Sequence, residues 1–229
     1  MGIALLPFVA LLYSNPTQEW RFTIMYIILM AVGIGSACLH ATLLALPQSF
    51  DEVPMLWMII IFLFALLENS ALPNKPHYQY LPSIMFFAGV LQTFFYYTFM
   101  QYYAVFLINY ITAGAVVIMW TSHLANNGHP TNSLSKKLWQ TAIGSYLFIG
   151  TPLWIVEMNN CTYLLPSFKA FGGLSFHILW HLGAGLGTYL TILFLISLRM
   201  KTLYGEEGKL VYVFGFCPII ERTNNNKKK

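Results

Sequence analysis

Long apolar runs broken by short polar connections dominate this chain. They place membrane spans at about Phe22–Leu46, Val53–Leu67, Leu81–Phe99, Tyr103–Leu124, Leu138–Val156 and Leu174–Leu198, with an incomplete stretch at Gly2–Tyr13. A helix needs roughly 20 apolar residues to cross the hydrocarbon core of a bilayer. The runs are apolar on all sides and do not alternate with polar residues, which excludes a β-barrel. The pattern predicts an all-α integral membrane protein: a seven-transmembrane helix bundle with the first helix truncated. It forms one domain over residues 1–229, ending in a cytosolic tail, 199–229. The loops expected between spans include "PQSFDEVP", "ENSALPNKPHYQY", "ANNGHPTNSLSKK" and "EMNNCTYLLPSFKAFGG".

Composition agrees. Of 229 residues, 57% are hydrophobic and 9% charged, against about 25% charged in soluble domains, so most of the surface must face lipid. The net charge of +4 is small and gathers in "ERTNNNKKK". With no basic stripe interleaved with aromatics, a nucleic-acid partner is not expected, and no obligate protein partner is evident. Lysine and arginine favour cytosolic flanks. Arg199, Lys201, Lys209, Arg222 and the terminal lysines put the C-terminus in the cytosol. Alternation then brings Arg21, Lys75, Lys136 and Lys137 to the same side, leaving the N-terminus luminal. The start "MGIALLPFVALLY" lacks the basic region and cleavage site of a signal peptide.

That topology brings particular polar residues to one depth. His40 lies in the last turns of a span running toward the lumen, Asp51 opens the next span, and His177 and His181 lie in the first turns of the last. Ionisable side chains at membrane depth are costly and face a partner or a cavity. Histidines at i and i+4 share a helix face and can grip one metal ion. A third imidazole completes a His₃ set with an open fourth position, the form of a catalytic zinc site. Each histidine taken singly also fits an imidazole hydrogen-bonded inside the bundle. Ser36, one turn before His40, could donate to a developing oxyanion or bond back to its own helix. Asp51 could act as a general base, or cap its helix with Pro54 in the first turn, whereas Glu52 reads as helix-start charge.

The remaining candidates have plainer readings. Glu157, with Trp154, is an interfacial anchor or a contact for a second ion or head group. Glu68, His77, His123 and His129 are expected to be solvated. Cys38 and Cys217 read as buried small residues, and Cys161 lies in a loop where a disulfide is conceivable. No cysteine spacing suggests a metal. "NCT" at Asn160–Thr162 has the glycosylation pattern.

Taken together, Ser36-x-x-x-His40, Asp51 in "DEVPM", His177-x-x-x-His181 in "FHILWHLGAGLGTYL", "WIVEMNNC" and "TLYG…VYVFGFCPIIE" resemble the alkaline ceramidases, seven-span zinc amidases related to the progestin and adiponectin receptors. The likeness runs from about Gly2 to Glu221. It implies hydrolysis of ceramide to a sphingoid base and a fatty acid, with Zn²⁺ on His40, His177 and His181, and with Ser36 and Asp51 assisting. It also implies a membrane-lipid setting in the endoplasmic reticulum or Golgi. In that family an acidic, tryptophan-containing luminal segment binds Ca²⁺ and supplies a cysteine for the one matching Cys161. This chain begins inside the first helix, so Ca²⁺ binding is not expected. The alternatives are a zinc-containing lipid-sensing receptor of the progestin and adiponectin type and an inactive truncated form.

Overall fold

The computed structural model describes residues 2–14, 16–42, 44–72, 75–170 and 176–223, apart from the side chains of residues 2, 3, 45, 161, 165 and 167–170. The terminal lysines, the expected start of the last span at Leu174 and a disulfide at Cys161 lie outside the described residues and side chains.

The protein is an all-α membrane protein carrying one small hairpin. Its helices are α1 (Gly2–Tyr13), α2 (Trp20–Thr42), α3 (Ala45–Leu67), α4 (Leu81–Phe99), α5 (Tyr103–Asn126), α6 (Leu134–Gly144), α7 (Thr151–Ala170) and α8 (Phe176–Tyr204). A π-helical segment, Ser145–Gly150, joins α6 to α7. Among the described residues, α2, α3, α5 and α8 are long and apolar enough to cross a membrane. Most aromatic side chains of α4, among them Phe86, Phe87 and Phe94, point outward, as a lipid-facing helix requires, while Tyr96 is buried.

α3 begins at Ala45, well before the expected Val53. The apparent loop "PQSFDEVP" is its first turns. Pro47 is tolerated there because the first amides of a helix have no intrahelical acceptor. Pro54, deeper in α3, cannot donate to the carbonyl of Phe50 four residues back. Gly35 of α2 lies against that carbonyl: a Cβ at Gly35 would sit 2.1 Å from the Phe50 oxygen. A missing amide and a missing side chain thus let two helices meet backbone to backbone beside Ser36 and Asp51. Because α3 starts earlier, Asp51 lies in its second turn and is not its cap; that position is Leu44, which makes no side-chain capping bond.

α8 is the central helix, buried almost continuously from Gly183 to Met200. Its N-terminal half is rich in small residues, and small residues let helix backbones approach closely. The π-helical segment uses that closeness, since Ser145 Oγ donates to the Gly183 carbonyl at 2.7 Å. Beyond α8 the chain turns back as β1 (Lys209–Val213) and β2 (Cys217–Glu221), antiparallel with Lys209 opposite Glu221. Cys217, Ile219 and Ile220 are buried. Ser14 Oγ donates to the Ile220 carbonyl at 3.1 Å and Tyr189 Oη to that of Pro218 at 2.6 Å. The segment expected as tail is therefore part of the packed structure.

At the bundle end away from the histidines, Glu19 bridges two arginines, at 2.8 Å to Arg21 Nη2 and 2.7 Å to Arg199 Nη2. Arg21 also donates to the Glu68 carbonyl and Arg199 to that of Asn69. Both arginines are buried. Their guanidiniums hold the Glu19 carboxyl below the usual glutamate range, outweighing the burial that alone would raise it.

Several expectations change here. Glu68 is buried, not solvated, because its carboxylate accepts the amides of His77 and Tyr78, each at 3.0 Å. The His129 side chain is 5% exposed and pairs with Glu207 at 3.1 Å. Amides of α6, Ser135 among them, and His129 keep that glutamate's pKa low despite burial. Cys38 is exposed, lying on an outward face of α2. The backbone around Cys161 and the "NCT" pattern is helical, kinked at Asn160.

Gly35→Ala is expected to destabilise the fold by about 1–3 kcal/mol, the range for overpacking, read as a lower thermal midpoint in detergent. The Glu19 bridge carries a pH signature. A carboxyl whose folded pKa is depressed stabilises fully above its ordinary value, near 4.5, and loses that contribution as pH falls through the folded value. Thermal melts should therefore show Glu19→Gln well below wild type at neutral pH, with the gap closing progressively as the pH falls below the ordinary glutamate value.

Candidate metal centre

Three helices converge at the opposite end. α2 presents His40 from its last turn, α8 presents His177 and His181 from its first two, and α3 contributes Asp51. The i,i+4 spacing on α8 points both imidazoles the same way. His181 is buried and His177 half-buried, while His40, nearest the helix end, is exposed. Their Nε2 atoms meet: His40 to His181 at 3.2 Å and His181 to His177 at 3.1 Å. All three ligand atoms lie within 4.8 Å of one another.

A shared cation explains that arrangement better than hydrogen bonding does. A neutral imidazole carries one N–H, so the contacts of the middle nitrogen with two others cannot both be good hydrogen bonds without forcing charge onto the cluster. Two nitrogens each about 2.0–2.1 Å from a tetrahedral zinc are separated by about 3.3 Å. The two observed spacings fall close to that value, so the donor set fits Zn²⁺.

The surroundings orient these rings. Glu157 of α7 accepts the backbone amide of His177, tying α7 to the described N-terminal end of α8. This is a more specific role than an interfacial anchor. Trp180 packs on both α8 histidines, with ring centroids 4.5 Å from His181 and 5.3 Å from His177. Asp51 is buried with Oδ2 3.9 Å from His181 Nε2, and its Oδ1 has no hydrogen-bond partner among the described residues. A buried carboxylate oxygen left unsatisfied is costly, and here it is free to accept from a water or a substrate. Ser36 is buried and lines a cavity of 160 Å³ together with Gly33, His40 and His181.

The structure thus brings together His40, His177 and His181, sets Asp51 beside His181, and puts Ser36 in the same cavity. Glu52, next to Asp51, does more than charge a helix start: it is buried and receives Tyr96 Oη at 2.8 Å. A sequence profile of the ceramidase family matches residues 1–221.

The chain belongs to the ceramidase family.

Individual relatives agree. Alkaline ceramidase 3 of Mus musculus is 27% identical over 213 residues, covering 88% of this chain and 75% of that protein. Putative alkaline ceramidase dcd3A of Dictyostelium discoideum is 30% identical over 186 residues, covering 75% of this chain and 62% of that protein. An alkaline ceramidase of Arabidopsis thaliana is 24% identical over 205 residues, covering 89% and 75%.

Three hydroxyl-bearing residues escaped the sequence reading. Tyr110, Tyr146 and Thr188 line an inner cavity of 60 Å³ with His181, and Tyr146 is bonded to Thr188. Each sits in an apolar run, where the test of polarity at depth that singled out the histidines would also have found it. Glu157→Gln is expected to retain the fold but bind divalent metal about 10–100-fold more weakly, as for other groups that orient a ligand, measured by competition with a chelator of known affinity.

Proposed function

We propose that this ceramidase-family chain hydrolyses the amide bond of ceramide within the membrane, with Zn²⁺ held by His40, His177 and His181. The observation that carries the reading is the convergence of three imidazoles, with two of their Nε2 pairs at tetrahedral-ligand spacing, in a member of this family. The relatives bear the name alkaline ceramidase, which supplies the substrate class. The ion, when bound, supplies a water of lowered pKa and polarises the amide carbonyl.

The chain's own residues do the rest. Asp51, with a free carboxylate oxygen, takes a proton from the attacking water and returns it to the departing amine. Ser36 donates a hydrogen bond to the oxyanion that develops on the carbonyl oxygen. Water adds across the amide, the C–N bond breaks, and a sphingoid base and a fatty acid leave. The apolar walls of the neighbouring cavity, among them Leu29, Met55, Met58 and Phe62, hold aliphatic chain and keep bulk water away. In this reading α1, α4 and the α6–α7 rod complete a seven-span single domain. Its imidazoles lie near the luminal leaflet of the endoplasmic reticulum or Golgi, and its C-terminus is cytosolic.

Purified protein incubated with ceramide should release fatty acid and sphingoid base in equal amounts, quantified by liquid chromatography. His40→Ala should lose both zinc, by elemental analysis, and turnover. Asp51→Asn should keep zinc and lose about 10²–10⁴-fold in kcat, and Ser36→Ala about 10²–10³-fold. Full activity in zinc-free His40→Ala, or retention of intact ceramide without product, overturns the proposal.

A further inference from the structure

The Glu19–Arg21–Arg199 bridge opens onto a cavity that the hydrolytic site does not use. It measures 460 Å³ and is lined by Glu19, Arg21, Glu68, Tyr78 and Arg199. Trp20, Phe64 and Pro82 also line it, and these same three residues begin a second, almost wholly apolar groove of 220 Å³ between α2, α3 and α4. Along α2 the groove follows Trp20, Ile24 and Ile28, one face of a helix at i, i+4 and i+8, or about 12 Å of length at 1.5 Å per residue. Ile24 and Phe86 are exposed along it, so it faces the surrounding lipid. A polar chamber thus continues into an apolar trough.

Distance separates this feature from the imidazoles. Arg21 and His40 are 19 residues apart on α2, and His181 and Arg199 are 18 apart on α8. Either spacing is about 27–29 Å of helix, roughly one hydrocarbon thickness. The two sites therefore lie at opposite ends of the bundle.

The chamber also has unspent donors. Arg21 Nη1 makes one bond, to the Glu68 carbonyl. Arg199 Nη1 makes one, to Asn69, and Arg199 Nη2 one, to Glu19. Each of these nitrogens carries two N–H groups, so three N–H groups have no acceptor among the described residues. Buried donors of this kind call for a partner, and guanidinium matches phosphate geometry. Two arginines balance two glutamates in the lining, so the chamber is neutral overall but polarised. Its guanidiniums are buried, while Glu68 and the exposed Tyr78 ring flank the same space. A group carrying both signs complements it: phosphate on the guanidiniums, ammonium against the carboxylate and the aromatic face.

We propose that this chamber and groove form a binding site for a zwitterionic glycerophospholipid, with the phosphate at Arg21 and Arg199, the head-group ammonium toward Glu68 and Tyr78, and one acyl chain along Ile24 and Ile28. It would tie the arginine end of the bundle to its own leaflet.

The test uses the full chain purified in detergent, followed by thermal unfolding and native mass spectrometry. Dioleoylphosphatidylethanolamine should raise the midpoint and remain bound as one lipid per chain. Dioleoylglycerol, which lacks phosphate, oleate, which lacks the ammonium, and inorganic phosphate, which lacks chains, should do neither. Ile24→Trp, which fills the trough from an exposed position, should weaken phosphatidylethanolamine binding at least about tenfold, or 1.4 kcal/mol, with metal content unchanged. Met85→Trp, from the α4 wall, should do the same and serves if Ile24→Trp does not fold. Equal stabilisation by dioleoylglycerol, oleate or inorganic phosphate overturns the proposal. So does a preference for the anionic dioleoylphosphatidylglycerol, or undiminished phosphatidylethanolamine binding in a folded trough variant.

Discussion

Contact between α2 and its neighbours sets the depth of the polar groups at the two ends of this bundle. Gly35 rests on the Phe50 carbonyl that Pro54 leaves without a helical donor. On the same helix Arg21 is bridged through Glu19 to Arg199 of α8. With α2 pinned at one end by backbone contact and at the other by charge, His40 can meet only the turn of α8 that carries His177 and His181. In a medium without water, polar groups must find partners inside the protein, and this register gathers most of them at both ends at once.

The ends use different chemistry for the same physical problem. At one end, three imidazoles and a carboxylate converge with nitrogens 3.1 and 3.2 Å apart, an arrangement that invites a cation. At the other, two guanidiniums share one carboxylate and reach main-chain carbonyls. Between them α8 contributes mostly apolar and small residues. The protein concentrates charge near the two head-group regions and keeps its middle nearly neutral.

Much of this was legible in the chain. Apolar run lengths gave the helices, and the i,i+4 pair at matched depth with His40 singled out the imidazoles that the fold brings together. The fold also sets Asp51 beside His181 and puts Ser36 in the cavity that His40 and His181 line. What escaped depended on partners distant in sequence. Glu68 looked like a solvated helix end until the amides of His77 and Tyr78 were seen to cap its carboxylate. His129 looked like a loop histidine, but its partner Glu207 lies 78 residues away. The start of α3 was misjudged because Pro47, Asp51 and Glu52 read as loop residues. A proline in a first turn and carboxylates with buried partners are compatible with helix, and local composition does not distinguish the cases.

The hairpin after α8 has a consequence for biogenesis. Ser14 bonds to the carbonyl of Ile220 across 206 positions, and Cys217 approaches the main chain of Leu6. α1 therefore lacks part of its permanent neighbourhood until the hairpin beyond α8 has been synthesised. Contacts between such remote segments form late, so α1 must wait, inserted but incompletely packed, while the helices between it and the hairpin are made. Any quality-control factor that recognises loosely held membrane helices would have its longest opportunity there.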